Sequence, residues 1–134
     1  MLKYVLAYLG AGLVFAAVDA VWLTFSNSRL YRPTLDPVLA EEVNLPAAAV
    51  FYVVYILGII VLAVSPATSW TKAMINGALL GAMCYATYDL TNQATLKVWA
   101  TKITVADIAW GTFVTGLAAT TGYLVFRWAQ AKFG

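Results

Sequence analysis

Apolar residues run through four long stretches of the chain, near 4–25, 47–64, 73–93 and 103–126. Each is close to the roughly 20 residues that a helix needs to cross hydrocarbon. The pattern predicts an all-α membrane protein, one domain over 1–134, with four transmembrane helices in an antiparallel bundle. Spans two and three are separated only by Ser65-Pro66-Ala67-Thr68-Ser69-Trp70, short enough to force a hairpin, with Trp70 suited to the headgroup level. Both termini then lie on one side, and segments 26–46 and 94–102 on the other. The opening MLKYVLAYLG has features of a secretory signal, with Val18-Asp19-Ala20 as a poor cleavage site. The apolar run continues to Phe25, so it reads as a retained first helix. After span one, Asp36-Pro37 has the form of a helix start, acid at the N-cap and proline next, and Asn44 and Pro46 have the form of a stop. A short interfacial helix is expected near 36–44, lying over the membrane surface.

Composition agrees with the membrane reading. The chain is 63% hydrophobic and only 10% charged, well away from ordinary soluble domains. A net charge of +2 without clustered Lys or Arg excludes a nucleic-acid face. Basic residues do not set the orientation, because Lys3, Lys72, Arg127 and Lys132 on the terminal side balance Arg29, Arg32, Lys97 and Lys102 on the other. With no histidine and a single cysteine, the usual zinc, haem and iron–sulfur ligand sets cannot be assembled, and no metal or cofactor is expected. Triads built on Ser-His or Cys-His are excluded for the same reason, and there is no phosphate-cradling glycine loop. Cys84 is expected to be a small buried packing residue.

The costly feature is acidic. Asp19, Asp89 and Asp107 lie inside spans one, three and four, where a carboxylate costs several kcal/mol unless it faces a bundle interior. At about 1.5 Å per residue, Asp19 lies roughly 22 Å up span one and Asp89 roughly 24 Å up span three. Asp107 lies roughly 6 Å down span four from the opposite face of a ~30 Å core. Alternating helix directions bring the three to one level, which predicts a shared polar pocket. On span three, Tyr85, Asp89 and Asn92 follow i, i+4, i+7 spacing and share a face, with Tyr88, Thr91 and Thr95 nearby. Two structural alternatives compete. Asp107 could favour the positive end of its helix, and Asp19 and Asp89 could pair with Arg29, Arg32, Lys97 or Lys102.

An internal repeat adds to this. Asp19-Ala-Val-Trp22-Leu-Thr24-Phe25 and Asp107-Ile-Ala-Trp110-Gly-Thr112-Phe113 share the pattern D-x-x-W-x-T-F, which sets an acid and an indole one turn apart. Asp19, Trp22, Asp107 and Trp110 could form a wall for a cationic or amphiphilic ligand through charge and cation–π contact. As small-xxx-small spacings, Gly77 with Gly81 and Ala118 with Gly122 predict close helix approach or self-association.

The combination of VDAVWL in span one, YDLTNQATLK at the end of span three and DIAWGTF in span four resembles the domain of unknown function 2177 family of small bacterial membrane proteins. The resemblance covers essentially the whole chain. It implies a multi-pass protein of the bacterial inner membrane and carries no activity with it. From the residues, the leading expectation is a binding or transport protein whose aspartate cluster takes a proton, a cation or a small amphiphile. The site residues would be Asp19, Trp22, Tyr85, Tyr88, Asp89, Asn92, Asp107 and Trp110. An accessory subunit of a membrane complex, and an enzyme using Asp/Tyr acid–base chemistry on a lipid-like substrate, remain alternatives. The expected partners are the lipid bilayer, a further copy or a larger membrane complex, and a small cationic or amphiphilic ligand.

Overall fold

The structure, a computed structural model, describes residues 1–134 and contains helices and no strands. Helix α1 spans Leu2–Ser26, α2 Arg32–Leu35, α3 Leu45–Ile59, α4 Trp70–Thr95 and α5 Thr101–Phe133. A π-helical turn, Asn27–Tyr31, joins α1 to α2, and a second, Ile60–Val64, extends α3. Three helical segments are long and apolar enough to cross a membrane: Leu2–Val38, Leu45–Val64 and Thr101–Phe133. The fourth, α4, has the length but is more polar, because it carries Asn76, Asp89, Asn92 and Gln93.

Local signals explain the helix starts. Asn44 caps α3 by accepting from the Ala47 N–H at 3.1 Å, and Ser69 caps α4 by accepting from the Lys72 N–H at 3.1 Å. The connection between α4 and α5 is held by Trp99 and Gln93. The Trp99 Nε1–H donates to Thr104 Oγ1 at 2.9 Å, Thr104 donates to Gln93 Oε1 at 2.6 Å, and Gln93 Nε2 donates to Thr101 at 2.9 Å.

The expected interfacial helix over 36–44 is not there. Asp36 keeps helical backbone angles and its carboxylate pairs with Arg32, one turn earlier, at 3.0 Å. It therefore continues the first helix, which closes in a single 3-10 turn at Asp36–Val38. Residues 39–44 are non-helical, and Asn44 with Pro46 begins α3 instead of ending a surface helix.

Helix α5 is the centre of the molecule, packed between α1 and α4. Contacts run in opposite senses along each pair. Gly77 meets Ala119 and Gly81 meets Gly111, and on the other side Ala11 meets Gly122 and Tyr4 stacks edge-on against Phe126 at 5.0 Å. The small-residue stripes are thus used within the chain. A Cβ at Gly77 would sit 2.5 Å from Ala119 Cβ, and one at Gly81 would collide with the Gly111 carbonyl oxygen. Small residues let helix backbones approach closely where lipid supplies no hydrophobic drive for association. The remaining core is correspondingly fine-grained: Ala7, Ala11, Phe15, Ile59, Ala63 and Val114 are among its fully buried members.

Outward faces are mostly apolar. Leu9, Leu13, Val21, Val50, Val54, Leu57, Leu79, Met83 and Phe113 are all exposed. A water-soluble surface rarely carries so many large apolar side chains, and hydrocarbon covers them without cost. The second span leaves the bundle at one end. It meets α4 mainly through Ile60–Val64, next to the turn. Further from the turn α3 and α4 diverge, and the gap is bridged by the Tyr55 and Tyr85 rings at 6.3 Å.

The glycine contacts give a direct test by thermal unfolding in detergent. Gly81→Val should destabilise the fold by about 3 kcal/mol through overpacking against the α5 backbone. Gly58→Ala, where nothing lies within 4 Å, should leave stability unchanged or slightly raised.

Candidate functional site

The three aspartates are all buried, with Asp19 7%, Asp89 0% and Asp107 9% exposed. None pairs with Arg or Lys. The sole salt bridge of the chain is Arg32–Asp36, and Arg29 instead lies over the Phe25 ring at 4.3 Å. Pairing of the acids with the far-side basic residues is therefore overturned. Support from the helix dipole fails as well. Because α5 begins at Thr101, Asp107 lies beyond the first turn, where that effect has largely decayed.

What the acids have instead differs from one to the next. Asp19 accepts two hydrogen bonds, from the Tyr52 hydroxyl at 2.5 Å and from the Trp110 Nε1–H at 3.0 Å. Asp107 accepts one, from the Tyr31 hydroxyl at 2.5 Å, and Tyr31 in turn accepts from the Trp22 Nε1–H at 3.2 Å. Asp89 lies against Asp107, and no N–H or hydroxyl group outside that acid pair donates to either of its carboxyl oxygens.

The two copies of D-x-x-W-x-T-F are wired crosswise. Each indole serves the acid of the other copy: Trp110 donates directly to Asp19, and Trp22 reaches Asp107 through Tyr31. Between them the two rings stack at 4.7 Å with 8° between planes. In both copies the threonine bonds back to the carbonyl four residues earlier, Thr24 to Ala20 at 2.8 Å and Thr112 to Ile108 at 2.7 Å. Sequence spacing alone suggested two indoles open to a ligand. The stack covers one face of each and joins α1 to α5.

The polar stripe of α4 is brought inward in part. Tyr85 is half-buried with its ring seated over Gly111, where a Cβ would collide with it, and Asn92 is half-buried with no side-chain hydrogen bond. Tyr88 is 62% exposed and packs edge-on to Trp99 at 6.1 Å. Cys84, expected in the core, is exposed. It lies off the glycine face that approaches α5, so it points into the divergence between α3 and α4. There Phe51 and Tyr55 from α3, Cys84, Tyr85 and Tyr88 from α4, and Asp107 from α5 line a cavity of about 490 Å3.

Three contributors escaped the sequence reading: Tyr31, Tyr52 and Tyr55. The signal for the last two was present, since they are the only polar side chains between Pro46 and Ser65. Tyr55 shares a 2.8 Å hydrogen bond with Thr115, so both tyrosines tie the second span to its neighbours. Tyr31 gave no comparable signal.

A family model for predicted membrane proteins, the domain of unknown function 2177 family, matches residues 4–124. The chain belongs to this family. No curated protein and no solved structure is significantly similar to it. Membership agrees with the apolar outer surface in making this a membrane protein.

The unequal partnering separates the acids by substitution. Asp19→Ala leaves the Tyr52 hydroxyl and the Trp110 N–H without an acceptor, and should lower unfolding stability by on the order of 2 to 4 kcal/mol. Asp89→Ala strands no N–H or hydroxyl donor and relieves the crowding of two acids, so it should cost clearly less than Asp19→Ala. Chemical unfolding of the two variants in detergent, followed by tryptophan fluorescence, checks the order.

Proposed function

We propose that the protein is a binding or transport protein of the bacterial inner membrane, in which Asp89 and Asp107 form a paired carboxyl site that takes up and gives up a proton or a cation. The observation that carries this reading is that fully buried Asp89 has only the carboxyl group of Asp107 to bond with, and no N–H or hydroxyl donor outside that pair. A buried carboxyl group whose one polar neighbour is another acid is expensive to keep, and a purely structural role gives no reason to keep it. Asp19 differs. With two donors and a place between α1, α3 and α5 it serves as interhelical glue, the role that favours an accessory or scaffold reading for that residue alone.

Four spans support the proposal. At 26 residues, α4 is about 39 Å long, more than the ~30 Å hydrocarbon core. It packs along α5, itself apolar enough to cross, so the two occupy the same slab. Its polar residues lower its hydropathy because several of them face the bundle. The four helices then pass alternately up and down, and the acids of α1, α4 and α5 fall in the leaflet away from the Ser65–Ser69 turn.

Two carboxyl groups in contact, with no Lys or Arg paired to them, cannot both carry charge without large mutual repulsion. Their protonation is therefore coupled and belongs to the pair. A cation arriving at Asp107 displaces the shared proton. Departure of the cation lets the proton return, and this exchange is the elementary step of a proton-linked binder or antiporter. Tyr31 holds Asp107 in place through one oxygen while the other is left for the exchange.

Infrared spectroscopy of the protein in bilayers tests the pair directly. We expect a protonated-carboxyl C=O band that titrates with pH in the wild type and is lost or displaced in Asp89→Asn, with the melting temperature of that variant within a few degrees of wild type. An unchanged titration, or collapse of the fold on this isosteric change, would remove the functional reading and leave a membrane scaffold.

A further inference from the structure

The cavity between α3 and α4 has a composition that selects its occupant. Of its six lining residues four are aromatic, Phe51, Tyr55, Tyr85 and Tyr88, and one is the carboxylate of Asp107. No lysine, arginine or backbone-rich loop contributes to the wall. Aromatic faces carry negative quadrupole charge, and several of them around one space form the cage that binds quaternary and alkylated ammonium groups. A carboxylate at the base supplies the counter-charge. Behind it lies the fully buried Asp89, and the pair, holding one shared proton, presents a single negative charge to the cavity. An anionic or zwitterionic phosphate group would find no donor cation there and would face two acids.

The mouth points sideways. Phe51 lies six residues into α3, and Tyr88 seven residues before the end of α4, so both sit roughly 10 Å below the helix ends. Both are exposed, and they flank the divergence of α3 from α4. An opening at that depth faces hydrocarbon and admits a molecule already dissolved in the bilayer.

We propose that this cavity binds the organic ammonium head of a cationic amphiphile, which enters from the membrane between α3 and α4 and leaves its alkyl tail in lipid. The assignment rests on the paired-carboxyl reading above and names its ligand class. Phe51, Tyr55, Tyr85 and Tyr88 hold the head by cation–π contact, and Asp107 holds it by charge. Ammonium-bearing phospholipids fit less well than phosphate-free amines because of the unmatched phosphate.

The test uses the full chain in nanodiscs of an uncharged galactolipid, which brings neither amine nor phosphate. The probe is radiolabelled dodecyltrimethylammonium. Saturable binding is expected, with displacement by unlabelled probe but at least tenfold poorer displacement by two competitors of equal chain length. These are the neutral isostere, in which a tert-butyl carbon replaces nitrogen, and dodecylphosphocholine. Asp107→Asn should weaken binding tenfold or more. Tyr88→Leu, at an exposed position, should weaken it about fivefold. Cys84→Trp, which fills the cavity from an exposed position, should abolish it while the melting temperature stays within a few degrees. Absent saturable binding, equal displacement by the neutral isostere, or full binding in Cys84→Trp each overturns the proposal. Effective competition by dodecylphosphocholine assigns the cavity to phospholipid heads and overturns it as well. Failure here with an intact infrared titration rejects the ammonium ligand alone, whereas loss of both rejects the carboxyl pair.

Discussion

The close approach of α4 and α5 is the constraint on which the rest of the structure depends. Gly77, Gly81 and Gly111 remove the side chains that would hold the two backbones apart. With the axes drawn together, Asp89 and Asp107, further along the same antiparallel pair, come into contact. The same contact seats the Tyr85 ring over Gly111 and leaves the outer face of α4 free to line a cavity with α3. Burial of the acids is therefore a consequence of helix packing. It does not require any ion pair to draw them inward, and none is present at the site.

Burial makes unmet hydrogen bonds costly, and the chain meets that cost unevenly. Tyrosine and tryptophan are the donors it uses, and they suit this setting because each presents an apolar body to its neighbours and a single polar atom to an acid. Asp19 takes two such donors and so joins three helices. Asp107 takes one, at the end of a relay that begins in the other copy of its own motif. Asp89 takes none. The crosswise wiring explains why an acid and an indole recur one turn apart on two antiparallel helices. In the facing copies the Trp110 N–H bonds the opposite acid and the Trp22 N–H bonds the tyrosine that holds the other, and the stacked rings join the two helices.

Much of this was legible in the sequence. Hydropathy located the four long helices, although α5 runs on to Phe133, beyond the expected end near 126, and all three of Asp19, Asp89 and Asp107 are buried, with Asp89 against Asp107 and Asp19 on partners of its own. The glycine and alanine spacings marked close contacts, although they could not say whether the partner was the same chain or another copy. Other features had no sequence signature. Asp36-Pro37 carries the chemistry of a helix start, and only the Arg32 partner one turn earlier turns it into the last turn of a longer helix. Cys84 has the composition of a core residue, and its exposure follows from the divergence of α3 and α4, a tertiary fact. Tyr52 and Tyr55 are the exception: as the only polar side chains of their span they carry a signal, but hydropathy averages over the hydroxyl and hides it.

Tyr31 shows the limit of periodicity most clearly. A regular helix continued past Ser26 would carry this residue to a different angular position, because every residue advances the face by about 100°. The π-helical turn over Asn27–Tyr31 changes that phase just before Pro33, whose missing N–H and ring bulk disturb the normal ladder of the preceding turn. Widening relieves the clash, and the Arg32 N–H bonds to the Asn27 carbonyl five residues back. The widened turn is also what brings the Tyr31 hydroxyl to Asp107 and the Trp22 indole. A proline that a pattern reading treats as punctuation thus sets the aim of the one donor that Asp107 has. Helix irregularities of this type are frequent at functional sites, and here the irregularity acts by leaving Asp107 held on one side and open on the other, toward Asp89 and the cavity.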